Sequence, residues 1–574
     1  MKQNGRNAQK SMLIGKPLII PNISIYELFH RRSKINASKI ICRCHEDKLT
    51  FLQLHEESEI YAKAFMELGV KRGDIVPLCV EPSCTAVSLF FALNRIGAVS
   101  TFLNATAGTE EVKKYILRFN SNIFVYSDKL KLDIRSLHEE CGLKKSIIII
   151  GSNTYTKYSS PSKQTSDFFQ NSNFDDALVN LDQIHRLGQE SSLTIPHKCG
   201  SDIPAFIAYT SGTTGEPKSI LLSNGNIVAE MLSLKRTTLM QYGPRGNSLQ
   251  VVPFNYPYGF IVSVLVPIFV GKTAALTPAR TVETTAEYLK MYKPKYISAI
   301  PPFYKSFFKN KQIMKMDLSF LRYPVCGGDV ITKSEIEHIN MFLKQHGSKG
   351  KLLNGSGNGE GCGSLTNPIA LFEKYNIDSI GKPIYGLSVK FVDENGCVVD
   401  RNQKGRFCFS GENLMLCYYN DEAATNAVKY TDDDGIKWFH TDTYGHMDKK
   451  NRIYFDGRER RFFITYDSSG SPYKVYCDHV QSVVKKHNSV SDCVVVKRSD
   501  EKRYFVPVAF VAVSGEQWTA IKNEIFELCQ KELQSCAVPC KFILVDKLPI
   551  SNAGKVDYRA LEKLAEEKEN ELTK

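Results

Sequence analysis

YTSGTTGEPKSI, residues 209–220, is the stretch on which the reading of this chain turns. It follows an apolar, strand-like run, Ile203 to Ala208, and precedes a helical pattern beginning near Asn226. Strand, polar loop and helix in that order belong to an α/β fold. Gly212 and Gly215 let backbone N–H groups approach an anion closely. The hydroxyls of Ser211, Thr213 and Thr214 add hydrogen-bond donors, and Lys218 adds charge. Such a loop suits a polyphosphate. No glycine stands at the GxxxxGK[ST] spacing before Lys218, so it is not a Walker A loop. A generic Ser/Gly surface turn accounts for SGTTG alone, but not for the full string with EPK.

Towards the N-terminus, helix-period stretches alternate with short β-branched runs. Leu52 to Leu68 reads as an amphipathic helix, Ile75 to Val80 as a strand, Ala86 to Ile96 as a buried helix and Asn122 to Tyr126 as another strand. This predicts βαβ units and a parallel sheet covered on both faces. Residues 152–173 are rich in Ser, Thr, Asn, Gln and Lys and read as a surface insertion. From Gly381 to Tyr419, short alternating strands with turns at DENG and NQKG predict a β-rich subdomain. A basic run, GRERR, follows Gly457, and a mixed α+β pattern then continues to a charged helical tail. The expected organisation is a large α/β N-terminal domain, residues 1–457, with parallel-sheet subdomains and a β-rich subdomain. A small, mobile α+β C-terminal domain, 458–574, completes it.

At 574 residues the chain is long enough for two or three domains. Its formal net charge of +13 admits acidic partners, yet the Lys and Arg residues are scattered, without the basic arm or interleaved aromatics of a nucleic-acid binder. Sixteen dispersed cysteines without a CxxC pair read as small buried hydrophobes in a reducing compartment. The longest apolar stretch, Phe260 to Val270, is about half a membrane span, and the polar, basic start is no signal peptide. A cytoplasmic protein with no membrane span is expected.

The chain resembles the adenylate-forming (AMP-binding) superfamily of acyl-CoA synthetases, peptide-synthetase adenylation domains and luciferases. The resemblance rests on YTSGTTGEPKSI together with LTFLQL at 49–54, GAVSTFLNATAGTEEVKKYI at 97–116, CGGDV at 326–330 and NGSGNGEG at 354–361. GKPIYG, GRFCFSGENLMLCYYND and LPISNAGKVDYRAL at 548–561 continue it, in the family's order. It implies ATP-dependent activation of a carboxylic acid as its acyl-adenylate with release of pyrophosphate, then transfer to a thiol. That thiol is CoA or the phosphopantetheine of a separate carrier protein.

The resemblance also implies roles. Ser211, Gly212, Thr213, Thr214, Gly215 and Lys218 hold the β- and γ-phosphates. Gly327 and Gly328 line the adenine. Glu360, with Thr214, holds Mg²⁺, a hard ion that prefers oxygen ligands. Lys555 reaches both the substrate carboxylate and the α-phosphate, Asp442 and Arg458 hold the ribose, and Arg461 is the interdomain hinge. A gapless count back from Gly457 puts Thr443 at the acidic ribose position, and a one-residue shift restores Asp442.

Three departures stand out. Ser356 replaces the family's Tyr and Gly359 its Thr, while the segment from Ile464 to Val475 is about four residues longer than the family's usual turn. Asn255, Tyr256 and Gly259 in VPFNYPYGF are the expected substrate pocket. Asn255 stands where amino-acid-activating members carry an Asp, and a neutral amide pairs poorly with a buried ammonium. Tyr256 stands where fatty-acyl members often carry His. Asn-Tyr-Pro with GEG resembles members that activate aryl acids, although Asn255 reads equally well as a turn residue. Three readings follow: an acyl/aryl-CoA ligase, a stand-alone enzyme loading a carrier protein, and a non-catalytic sensor of nucleotide or acyl ligand.

Overall fold

The apolar run before the hydroxyl-rich loop forms the buried strand Pro204–Tyr209. The chain does not pass from the loop into a helix. It returns first as the strand Ser219–Ser223, antiparallel to Pro204–Tyr209 with Ser219 opposite Tyr209, and only then enters the helix Asn224–Thr237. The reason is local: SILLS is short and largely apolar, and Ile220 and Leu222 bury their side chains as a strand. A helix dipole is therefore not what awaits an anion at the end of Tyr209.

The coordinates are a computed structural model. It describes residues 10–105, 107–130, 132–149, 178–195, 199–210, 217–237, 243, 245–278, 282–329, 331–368, 375–458, 462–466, 472–500, 503–513, 518–550 and 556–570. The insertion expected at 152–173 lies outside them.

Two parallel-rich sheets form the body. The first runs in the order Cys417–Tyr418, Ser219–Ser223, Pro204–Tyr209, Val99–Phe102, Ile75–Cys79, Ile123–Ser127, Lys145–Ile149, Leu178–Asn180, parallel from Pro204–Tyr209 onward. The second runs Leu353–Asn354, Tyr323–Cys326, Tyr296–Ala299, Asn247–Gln250, Thr273–Ala275, Ile40–Cys44, Asp47–Thr50, its first six strands parallel. The helix Cys84–Ile96 buries every residue except Arg95, as CTAVSLFFALNRI, apolar on nearly all sides, requires. Ser83 caps its start, and Gly97, at φ 76°, ends it in the left-handed region.

One core cluster joins residues of both sheets to the helices between them. At its centre Phe260 packs on Phe90, Phe102 and Phe254, with ring centroids 4.7, 4.9 and 5.0 Å away. This anchors the π-helical turn Tyr258–Leu265 and the segment before it.

The β-rich subdomain is antiparallel, in the order Met12–Leu13, Ser388–Val392, Gly405–Ser410, Lys437–Met447, Lys429–Thr431, with Ile453–Arg458 also on Lys437–Met447. The Met12–Leu13 strand, nearly 400 residues from its partner, was not predicted by the alternation around 381–419. The C-terminal unit is a three-stranded sheet, Val490–Asp500, Tyr504–Val513 and Lys541–Leu544, beside the hairpin Phe462–Tyr466/Pro472–Tyr476. The helices Cys477–Val484 and Trp518–Glu532 cover one face and Tyr558–Asn570 the other. The expected charged tail is thus a packed helix, burying Leu561 and Ala565. None of the sixteen cysteines forms a disulfide, and most are buried. Among the described residues, no helix is long and apolar enough to cross a membrane.

Candidate active site

A cavity of about 1060 Å³ lies over the C-terminal ends of Tyr296–Ala299, Tyr323–Cys326 and Leu353–Asn354. Ligands in open α/β sheets gather at this end of the strands. Gly327 and Gly328 leave the strand Tyr323–Cys326 directly into the cavity wall. Gly328 has φ 81°, and a Cβ there would stand 3.3 Å from Ile300 Cγ2, so the position favours glycine. Tyr258, whose hydroxyl donates to the Ala299 carbonyl at 3.3 Å, faces both glycines.

Glu360 sits in the loop after Leu353–Asn354 and is buried. The Tyr418 hydroxyl donates to Glu360 Oε1 at 2.6 Å. Burial raises the Glu360 carboxyl above its ordinary range. Tyr418 and Lys218 work against that shift, and Asp442 adds to it. Lys218 Nζ lies 4.7 Å from the centre of the Tyr418 ring. Its N–H donates to Thr210 Oγ1 at 3.1 Å and its carbonyl accepts from the Thr210 N–H at 3.1 Å, joining the two ends of the loop. Lys218, Tyr418, Glu360 and Asp442 therefore meet at one wall. Ser211, Gly212, Thr213, Thr214 and Gly215 lie outside the described residues, as do Arg461 and Lys555.

The loop bearing Glu360 is clamped from behind by Glu230, fully buried on Asn224–Thr237. Glu230 Oε1 accepts from the Ser364 N–H and Oε2 from Asn413 Nδ2, both at 2.9 Å. Asn413 Nδ2 also reaches the Gly361 carbonyl at 3.1 Å. Burial pushes the Glu230 carboxyl up to about 8, against the pull of both donors. Gly359 has its own reason: a Cβ there would fall 2.4 Å from Ile220 Cδ1. The missing threonine thus accompanies close packing of this loop on Ser219–Ser223.

Asp442 and Thr443 both line the cavity, on Lys437–Met447. Between Arg406 and Cys408 on the neighbouring strand, the ladder skips from Tyr444 to His440, so Thr441, Asp442 and Thr443 bulge together. A second irregularity, between Tyr444 and Gly445, leaves Asp456 without an opposite residue. Arg458 pairs through its backbone with Thr443.

In the expected substrate segment Tyr256, not Asn255, reaches the cavity. The Asn255 carbonyl accepts from the Tyr209 N–H at 3.1 Å, and its side chain hydrogen-bonds Tyr256, whose hydroxyl burial pushes up to about 12. Gly259 is buried, and a Cβ there would lie 1.9 Å from the Pro253 carbonyl oxygen, so it serves the backbone turn. Leu234, Val262, Val266, Tyr296 and Tyr323 also line the cavity and make part of its wall apolar.

On the far side, Tyr476, Asp478 and His479 of the C-terminal unit close the cavity. Helix Cys477–Val484 is tied to the body just beyond its end: Lys485 Nζ lies 3.4 Å from Glu335 Oε1 and 2.7 Å from Asp492 Oδ1, and Lys305 Nζ lies 2.7 Å from Glu335 Oε1. Burial alone would raise the Glu335 carboxyl, but Lys485 and Lys305 together hold it at about 2.

Residues 29–419 match the model of the AMP-binding enzyme, and 479–555 that of the AMP-binding enzyme C-terminal domain. The chain belongs to the AMP-binding enzyme family. It performs that family's chemistry, ATP-dependent activation of a carboxylic acid with release of pyrophosphate. This AMP-binding enzyme is 25% identical over 548 residues to 4-coumarate–CoA ligase 1 of Petroselinum crispum, covering 93% of this chain and 92% of that protein. It is 23% identical over 527 residues to the long-chain-fatty-acid–CoA ligase of Escherichia coli O157:H7, covering 89% of each. Its fold matches that of the anthranilate CoA ligase AuaEII in complex with anthranoyl-AMP at a TM-score of 0.78, with 19% identity, covering 96% of this chain and 99% of the other.

Tyr418, Tyr258, Glu230 and Asn413 are site residues that sequence reading missed. Tyr418 and Asn413 lay inside the quoted GRFCFSGENLMLCYYND string, but nothing in its spacing pointed to Glu360.

Proposed function

We propose that this enzyme is an AMP-forming ligase that joins an aryl or medium-length acid to CoA through the acyl-adenylate. The observation that carries this reading is the meeting of Lys218, Tyr418, Glu360 and Asp442 on a cavity that apolar side chains also line. A carboxylate oxygen of the acid attacks the α-phosphorus of ATP, the bond to the β-phosphate oxygen breaks, and pyrophosphate leaves with the negative charge. Both reactants are anions, so positioning and positive charge do most of the catalysis.

Lys218 with Ser211, Gly212, Thr213, Thr214 and Gly215 would hold the triphosphate, and Gly327 and Gly328 the adenine. Asp442 and Arg458 would take the ribose, and Lys555 the carboxylate and α-phosphate. Glu360, a buried carboxylate raised by its surroundings and beside Asp442, suits a hard cation, and Thr214 would share it. Mg²⁺ bound there neutralises triphosphate charge. Gly457, the last residue assigned to the large domain, has φ 137°, and with the hinge at Arg461 it would let the small domain turn.

Tyr256 and Tyr258 at the pocket, and the absence of a carboxylate at position 255, favour an aryl acid over an α-amino acid. The relatives named above as 4-coumarate and fatty-acid ligases support the same range. Carboxylate-dependent exchange of labelled pyrophosphate into ATP, over aryl, fatty and amino acids, tests the first step. Supplying CoA and a phosphopantetheinylated carrier protein separately to the preformed adenylate decides the acceptor. No exchange with any acid would favour the sensor reading.

A further inference from the structure

We propose that the N-terminal edge of the seven-stranded sheet, opposite the catalytic end, is a docking face for an anionic phospholipid bilayer. A cation stands within two residues before each of the six parallel strands. Lys351 precedes Leu353–Asn354, Arg322 precedes Tyr323–Cys326 and Lys295 precedes Tyr296–Ala299. Arg245 precedes Asn247–Gln250, Lys272 precedes Thr273–Ala275 and Lys39 precedes Ile40–Cys44. The register keeps them within three residues of one another along the strands: Tyr296 lies opposite Tyr323 and Ser248, Val325 opposite Leu353, Asn247 opposite Thr273 and Ala274 opposite Cys42. Strands stand about 4.8 Å apart, so the row spans roughly 24 Å. These positions are scattered over more than 300 residues, and only the sheet makes them a rim.

The cations at one end of the rim crowd each other. Lys39 and Lys272 are both depressed, first by burial and then by like charges, Arg245 and Arg32 for Lys39, and Lys39, Lys295 and Arg245 for Lys272. No carboxylate figures among those influences. One acid, Asp317, lies near Lys293, engaged by the N–H and hydroxyl of Ser319. Lys272 is buried, its Nζ donates to the Gly243 carbonyl at 2.7 Å and it adds positive charge from beneath, while Arg245, Arg322 and Lys351 are exposed and offer the surface an external anion would relieve.

Two further observations select a bilayer among polyanions. Ile35 and Met291, 81% and 41% exposed, stand on the helices that lead into Lys39 and Lys295, and they offer apolar contact beside the charge. Nucleic acid would want free aromatic rings, but Tyr296 at the rim is 1% exposed and stacks on Tyr323 at 4.9 Å.

The test uses the full chain sedimented with vesicles of phosphatidylcholine alone or mixed with phosphatidylglycerol, at low and high salt. Binding only to the anionic vesicles, lost at high salt, is expected. Each cation near an anionic surface is worth about fivefold in partitioning. The exposed triple variant Arg245→Ala/Arg322→Ala/Lys351→Ala should therefore bind about 100-fold more weakly. Lys522→Ala/Lys531→Ala/Lys563→Ala, with the same charge change on exposed positions of the C-terminal unit, should bind like the parent. Melting curves check folding, and if the rim triple variant is unstable, Arg245→Ala alone should lose about fivefold. Absence of binding to anionic vesicles, equal loss in both triple variants, or tighter binding to duplex DNA than to vesicles overturns the proposal.

Discussion

The Tyr418 hydroxyl donates a 2.6 Å hydrogen bond to Glu360, joining the edge strand Cys417–Tyr418 of the first sheet to the loop that follows Leu353–Asn354, the edge strand of the second. The same ring lies under Lys218, so one tyrosine touches both the cationic and the anionic side of the cavity. A hydrogen bond to a charged group is worth about 1.5–3 kcal/mol.

Tyr418→Phe keeps the ring against Lys218 and removes only the donor. Glu360 then loses the largest of the three influences that lower its pKa, keeping its own backbone N–H and Lys218. Pyrophosphate exchange should need about tenfold more Mg²⁺, with a smaller change in the acid KM. Exchange titrated with Mg²⁺ at saturating acid measures this.

Glu230 gives a pH signature. Its folded value near 8 lies above the ordinary 4.5, so the native state binds the extra proton between those two values. The stability it contributes is complete below about pH 4.5 and is lost as pH rises through 8. Melting temperature should fall across that window in the parent, by the equivalent of a few kcal/mol at most. In Glu230→Gln the fall should flatten, while exchange slows because the amide cannot accept from both Ser364 and Asn413.

Gly359→Thr restores the residue of the family pattern but drives its Cβ against Ile220 Cδ1. Overpacking a buried site costs about 1–3 kcal/mol. Ile220→Ala in the same chain should recover most of that loss, which a double-mutant cycle on melting temperature reads directly.

Lys485→Met removes the cation that ties the C-terminal unit to Glu335 and leaves Glu335 with Lys305. Breaking such a buried pair is worth about 3–5 kcal/mol when no partner remains, and less here. The expected outcome is faster proteolysis between residues 458 and 476, with the large domain still melting cooperatively.

The sequence made the parallel body readable because its helices and strands are locally consistent: CTAVSLFFALNRI is apolar nearly all round, and Ile75 to Cys79 is a buried strand. The β-rich subdomain was readable from its turns at DENG and NQKG. What escaped was non-local. SILLS has the length and apolarity of a short strand, yet its antiparallel return beside Pro204–Tyr209 depends on tertiary pairing. The bulges at Thr441 to Thr443 and at Asp456 shift register without any sequence mark. Tyr418 is one aromatic among many until the fold sets it beside Glu360. Lys218 and Glu360 stand in distinctive strings, Asp442 was one of two candidates with Thr443, and the structure brings Lys218, Glu360 and Asp442 to one wall. Asn255, read from its position alone, turned out to bond Tyr209 and Tyr256 beside the cavity, with Tyr256 lining it.

Acid-dependent pyrophosphate exchange, run in parallel on the parent chain, Lys218→Ala and Lys555→Ala, tests the acid-activating account most directly. Exchange with at least one carboxylic acid is predicted, with a raised KM for ATP in Lys218→Ala and loss of most activity in folded Lys555→Ala. Silence from the parent over the whole acid panel, or full exchange by Lys555→Ala, would contradict it.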